Sequence, residues 1–418
     1  MKVFKFGGAS VKNAEGVKNV LSVLKTTEEK NLIVIVSAMG KMTNLLEDLV
    51  LNYFSNPSEI KITLSKFYEF HLKIITDLFN NNSHPIFNEL LKLKNELQLF
   101  VGHNKSNDYS FVYDQIVSFG ELISTKIISV YLLENEFENK FLDVRSVIKT
   151  NTNYREAKVN WDETQKNIIN TVSKTGICIT QGFIASESSH NFTTTLGREG
   201  SDYTAAIFAY CLNAESVTIW KDVPGILNAD PRHFKKTQLL NHISYREAIE
   251  LAFYGATVIH PKTLQPLQRK EIPLYVKSFY HPQDNGTCVG KGVFLDPKTA
   301  CFILKKDQVL ISLSSLDFSF MMEDNIGDVF KSLHQYKMKV NLIQNSAISF
   351  SVCIDNKFNK LDILLKKLRE TFRVSWNEGV TLYTIRHSTN LEIKELLKGK
   401  EILLRQESRE TIQFVVKA

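Results

Sequence analysis

The sequence predicts an α/β fold: an open, mostly parallel sheet sandwiched by helices, followed by a ferredoxin-like α+β region. Two observations predict it. Over roughly the first 300 residues, short apolar β-branched runs alternate with stretches of helical spacing, the rhythm of βαβ units. After Lys305 the order changes to βαββαβ, the pattern of a ferredoxin-like module.

The elements follow in order. KVFKF (2–6) reads as a strand, and Val17, Val20, Leu21 and Leu24 then repeat at i, i+3, i+4 and i+7, so a helix comes next. NLIVIVSAMG (31–40) is a β-branched run ending in small residues, as expected of a buried parallel strand. Residues 57–110 break the alternation and read as a helical insertion over the sheet. FLDV (141–144), GICITQGF (176–183), SVTIW (216–220) and IPLYVKSF (272–279) are the further strands. Past a boundary placed near residue 305, strands are expected at 309–315, 339–345, 348–355 and 373–386, with helices at 327–336 and 360–372. Residues 387–418 then offer one short helix and two strands, a truncated second unit of the same kind.

Composition bounds the function. A chain of 418 residues that is 43% hydrophobic and 23% charged fits two or three globular domains. The net charge of +6, from 51 basic and 45 acidic residues without long like-charge runs, gives no nucleic-acid footprint. No uninterrupted apolar run reaches the ~18 residues of a membrane span, and MKVFKFGG reads as a strand, not a signal peptide. Five scattered cysteines without a CxxC read as reduced thiols of a cytoplasmic protein. The ten histidines form no metal-binding spacing, and no metal ligation by protein side chains is expected.

Several stretches carry chemistry. KFGG places Lys5 at a strand end before Gly7 and Gly8, where backbone amides can approach phosphate and a lysine can neutralise moving charge; a plain tight turn reads equally from this stretch. SAMGKMTN supplies Ser37 and Thr43 at a second strand end, or simply a cap for the next helix at Thr43 or Asn44. Glu121, in SFGELIST, sits among apolar neighbours and requires a partner: a ligand ammonium, or solvent if it lies on a helix surface. TTTLGREGSDYTAA (193–206) is the most specific. Arg198 can clamp a carboxylate or phosphate, and Ser201 and Asp202 suit the N-cap and first turn of the following helix. In WKDVPGILNADPR (220–232), Trp220, Asp222 and Arg232 suit the ring, hydroxyls and phosphates of a nucleotide, and two β-turns explain the loop as well.

Together, KFGGASV, SAMGKMTN, GELIST, TTTLGREGSD and WKDVPGILNADPR, with GATVIHPKT after them, resemble an aspartokinase of the amino-acid-kinase superfamily. Residues 309–386 resemble the ACT regulatory module of those enzymes. The resemblance implies an amino-acid-kinase domain over 1–305, an ACT-like domain over 306–386 and a truncated second ACT-like unit over 387–418. It implies transfer of the ATP γ-phosphoryl group to the β-carboxylate of L-aspartate, with Mg²⁺, and feedback by lysine or threonine in a homodimer formed through the ACT region. Lys5 and Asp202 would be catalytic. Ser37, Thr43, Glu121, Arg198 and Ser201 would bind aspartate, and Gly7, Gly8, Lys221, Asp222, Leu227, Arg232 and Thr257 would bind ATP. The effector loops would include Met321, Asp324, Val340, Asn341, Asn345 and Ser346. Ala9, Glu199, Leu227 and Thr257 depart from the family pattern, which leaves a second reading: a catalytically weak kinase-fold protein that senses amino acids through its ACT region.

Overall fold

The structure is a computed structural model describing residues 1–81, 83–173, 175–256, 259–317 and 319–417. The chain divides into two compact units: residues 1–226, 239–249 and 258–296, and residues 227–238, 250–257 and 297–418.

In the first unit the chain runs through β1 (Lys2–Phe6), α1 (Ala14–Thr27), β2 (Asn31–Val36), α2 (Met42–Ser55), α3 (Ile60–Leu78), α4 (Pro85–His103), α5 (Tyr109–Glu134), β3 (Lys140–Leu142) and β4 (Lys149–Thr150). It continues with α6 (Trp161–Thr171), β5 (Gly176–Gln181), β6 (Ile184–Glu187), β7 (Thr193–Thr195), α7 (Gly200–Leu212) and β8 (Ser216–Lys221). After β9 (His242–Ser244) and α8 (Tyr245–Tyr254), whose residues from Glu250 on are counted with the second unit, come α9 (Pro261–Arg269), β10 (Leu274–Ser278) and β11 (Thr287–Gly290). Eight strands form one sheet in the order β3-β5-β2-β1-β8-β10-β11-β9, parallel except between β10 and β11. The expected open, mostly parallel sheet is therefore present. The short sheet β4-β6-β7 was not foreseen, because strands of two to four residues leave no periodic signal.

The pleat of β1 explains the layering. Phe4 and Phe6 point into the core formed with α1–α5, with Val34 and Val36 beside them. Lys5 therefore faces the opposite side, where α7 packs on β1, β2 and β8. The helices α3 and α4 and the first two residues of α5 occupy the predicted insertion. α5 is long and apolar enough to cross a membrane by composition, yet 78% of that stretch is buried inside the protein, as in a core helix.

The second unit holds β12 (Cys301–Ser315), α10 (Glu323–Gln335), β13 (Lys339–Asn345), β14 (Ser349–Asp355), α11 (Leu361–Leu368), β15 (Phe372–Arg386), α12 (Asn390–Leu397), β16 (Glu401–Glu407) and β17 (Thr411–Lys417). One six-stranded sheet, β13-β14-β12-β15-β17-β16, contains these six strands. The boundary read near residue 305 falls inside β12, which continues through it with a register irregularity between Lys305 and Leu310. Nor is 387–418 a separate unit. β17 pairs with Thr381–Arg386, so the last half of β15 and the first half of β12 extend the sheet to the two final strands.

Candidate active site

The ends of β1 and β2, the middle of α5, the loop 151–157 and the start of α7 enclose a cleft of about 810 Å³ in the first unit. Ligands of open parallel sheets bind at such carboxyl ends. Lys5 Nζ lies 2.5 Å from Asp202 Oδ1, and both side chains are nearly buried. Asp202 occupies the first turn of α7, where helical N–H groups lack partners within the helix and the dipole favours anions.

Close backbone approach shapes the floor. Gly40 N donates to Gly8 O at 3.0 Å, and a Cβ on Gly8 would lie 2.8 Å from Ala38 O. A Cβ on Gly182 would lie 2.5 Å from Ser201 Cβ, so that glycine lets the α7 start press against the β5 end. The helix start differs from expectation. Glu199, at φ 52°, is the N-cap of α7 and makes no side-chain cap bond, so Ser201 lies inside the first turn. The left-handed turn at Gly197 (φ 77°) and Glu199 ends the strand abruptly and leaves no room for Ser201 to cap. Thr43 and Asn44 likewise fall inside α2, whose N-cap is Lys41.

Glu121 is the electrostatic anomaly. It is 2% exposed; Oε1 accepts from Ala38 N at 3.2 Å, and Oε2 has no hydrogen-bond partner among the described residues. Burial pushes its carboxyl up to about 8. The surface-glutamate alternative is thus overturned: Glu121 lines the cleft and awaits a donor. Ser124 Oγ donates to Ser37 O at 2.7 Å, fixing α5 to the β2 loop that carries Ser37.

The cleft brings together Lys5, Gly8, Ser37, Thr43, Glu121, Arg198, Ser201, Asp202 and Lys221. Gly7 and Asp222 do not line it. Leu227 and Arg232 belong to the second unit, where Arg232 is exposed and pairs with Asp230 at 2.6 Å. Thr257 lies outside the described residues. Trp220 is corrected: it is 1% exposed and packs on Phe4 and Phe6, because it points to the face opposite its neighbour Lys221, so its ring cannot seat a base. In the second unit, Met321 is buried, with its N–H donating to Ala347 O at 2.8 Å. Asn341 accepts from Lys305 Nζ at 2.7 Å, and Ser346 Oγ meets Ser349 Oγ at 2.7 Å. Asp324 is exposed in the first turn of α10, Val340 is half-buried, and Asn345 ends β13 in the open.

Sequence reasoning missed the outer wall: Tyr113, Tyr154, Arg155 and Glu156. The Arg155 guanidinium lies 4.5 Å from the Tyr113 ring centre, and Tyr113 Oη donates to Glu47 at 2.7 Å. The signal available was Asp114, a carboxylate in an apolar helix seven residues before Glu121 and therefore on the same face.

An anion cradle at parallel-strand tips, a buried lysine–aspartate pair and a carboxylate awaiting a cation define a small-molecule kinase site. Residues 1–278 match the amino acid kinase family model, and the chain belongs to that family, within its aspartokinases. It is 31% identical over 394 residues to lysine-sensitive aspartokinase 3 of Escherichia coli (strain K12), covering 92% of this chain and 86% of the relative. Crystal structures of E. coli aspartokinase III superpose on all of the chain and 96% of theirs. The complex with lysine and aspartate (T-state) gives a TM-score of 0.82 at 30% identity, and the complex with aspartate and ADP (R-state) 0.81 at 29%.

Proposed function

We propose that the chain is an aspartate kinase: the β-carboxylate of L-aspartate attacks the γ-phosphorus of ATP, the bond to the β,γ-bridging oxygen breaks, and 4-phospho-L-aspartate and ADP leave. The carboxylate is already ionised, so no proton moves and no general base is needed. Catalysis is positioning plus charge neutralisation. The observation that carries this reading is the unpartnered Glu121 oxygen in the same cleft as Arg198 and the Lys5–Asp202 pair. Glu121 receives the α-ammonium, Arg198 clamps a carboxylate, and Ser37, Thr43 and Ser201 fix the amino acid. Lys5, held by Asp202, offsets charge on the phosphoryl group, with Gly7, Gly8, Lys221 and Asp222 assigned to the nucleotide.

The phosphate end fits a metal–nucleotide chelate. Asp202 is neutralised by Lys5, while the buried oxygen of Glu199 has no hydrogen-bond partner among the described residues. Mg²⁺ bound to the phosphates would spread the charge that builds up on them. The aspartokinase relatives named for lysine sensitivity and crystallised with lysine support a lysine effector here. We assign it to Met321, Asp324, Val340, Asn341, Asn345 and Ser346, in a homodimer joined through the second unit. ADP release measured with a panel of amino acids tests the proposal. Release with L-aspartate alone, reduced by added lysine, supports it; release with glutamate or none at all contradicts it.

A further inference from the structure

α5 holds β7 at two points. Gln115 exchanges hydrogen bonds with Thr193, donating to its carbonyl at 2.7 Å and accepting from its N–H at 3.2 Å. One residue earlier, Asp114 is fully buried and saturated. Thr195 N and Oγ1 donate to it at 2.8 and 2.7 Å, and Arg155 N donates to both carboxylate oxygens at 3.0 and 3.1 Å. Thr195 is the last residue of β7 and stands three residues before Arg198. Arg155 adopts φ 71°, a left-handed conformation unusual for a residue with a side chain, and its carbonyl lies 3.2 Å from where a Cβ on Gly197 would stand. Ala157 N donates to Thr195 O at 3.0 Å, closing the loop onto the strand end.

We propose that Asp114 is a positioning residue for the amino-acid side of the cleft: its carboxylate fastens the loop 151–157 to the end of β7 and so fixes the backbone that presents Arg198. It touches no substrate. It acts from the helix that carries Glu121 two turns on, about 10 Å along the axis, and so sets the distance between the group receiving the ammonium and the group receiving the carboxylate. This role rests on the aspartate-kinase reading.

Three donors hold the ionised carboxylate, and a protonated one would present its own hydrogen to them. The charged and titratable groups facing it are Arg155 from the loop and Tyr113 and Tyr154 across the wall; β7 contributes only the threonine. Burial raises the carboxyl to about 6, so the fastening weakens as pH falls through that value.

The test uses the full chain. Asp114→Asn should raise KM for L-aspartate about tenfold while kcat stays within about threefold and KM for ATP within about twofold. A residue serving stability alone would lower the melting temperature without singling out aspartate. Calorimetric titration of aspartate between pH 5 and 7 gives a second readout that needs only the wild type. Affinity should fall with two protons below pH 6, one from Glu121 and one from Asp114, and with one proton in Asp114→Asn. An unchanged aspartate KM, or a one-proton slope in the wild type, overturns the positioning role. A wild type that neither binds nor turns over aspartate sinks the substrate reading and this role with it, whereas an active wild type beside an unaffected variant sinks the role alone.

Discussion

Replacing Glu121 by glutamine separates its cost to the free protein from its service to the ligand. The buried carboxyl rises from an ordinary 4.5 to about 8. A group raised in this way contributes stability that is fully present below 4.5 and is lost as pH climbs through 8. The difference corresponds to roughly 5 kcal/mol at most, and relaxation around the ionised group lowers it, so about 2–5 kcal/mol is expected. In urea denaturation, Glu121→Gln should match the wild type near pH 5 and exceed it by that amount near pH 9. Aspartate should reverse the order, since its ammonium supplies the missing partner for Oε2. Its stabilisation of the wild type should grow with pH and vanish in the variant, and kcat/KM for aspartate should fall at least a hundredfold. A stability difference that does not vary with pH, or a variant that keeps its aspartate affinity, would refute the reasoning.

Lys5→Met strands the buried Asp202 carboxylate, which should cost about 3–5 kcal/mol and lower kcat at least a hundredfold. Adding Asp202→Asn should restore the melting temperature but not turnover, as steady-state kinetics and calorimetry on both variants will show. Gly8→Ala forces a Cβ against Ala38 O and Gly40 O and should cost about 1–3 kcal/mol, with a raised KM for ATP. His71, fully buried on α3 between Phe67 and Phe70, bonds the Phe67 carbonyl at 2.8 Å and is pushed down to about 4. Its neutral form is favoured, so the stability it contributes is present above 6.5 and is lost as pH falls through 4, about 3 kcal/mol in all. Acid titration followed by circular dichroism should show a later transition in His71→Leu.

The parts of the site written in contiguous residues were legible. Lys5 could be placed because a strand ends in two glycines, and Arg198 to Asp202 because glycines bracket a helix start. What escaped is written in packing between distant segments. The loop 151–157 reaches the cleft with Arg155 N bonded to Asp114 and Ala157 N bonded to Thr195 O, partners far away in sequence, and nothing within that loop advertises the contact. Trp220 was misplaced because alternation along β8 decides which face it takes, and Phe4 and Phe6 claim that face. β15 was read over 373–386, nearly its full length, whereas only 309–315 of the long β12 was read as strand, because the Lys305–Leu310 irregularity interrupts the two-residue period near its midpoint. Glu121 needed the structure: apolar neighbours announce burial, but only the empty Oε2 shows that its partner must come from outside.

The most direct measurement traps the product. With Mg-ATP, L-aspartate and hydroxylamine, the purified chain should form aspartate β-hydroxamate in step with ADP, and Lys5→Met should form almost none. ADP release without hydroxamate, or equal hydroxamate from the lysine variant, would contradict phosphoryl transfer to the aspartate carboxylate at this cleft.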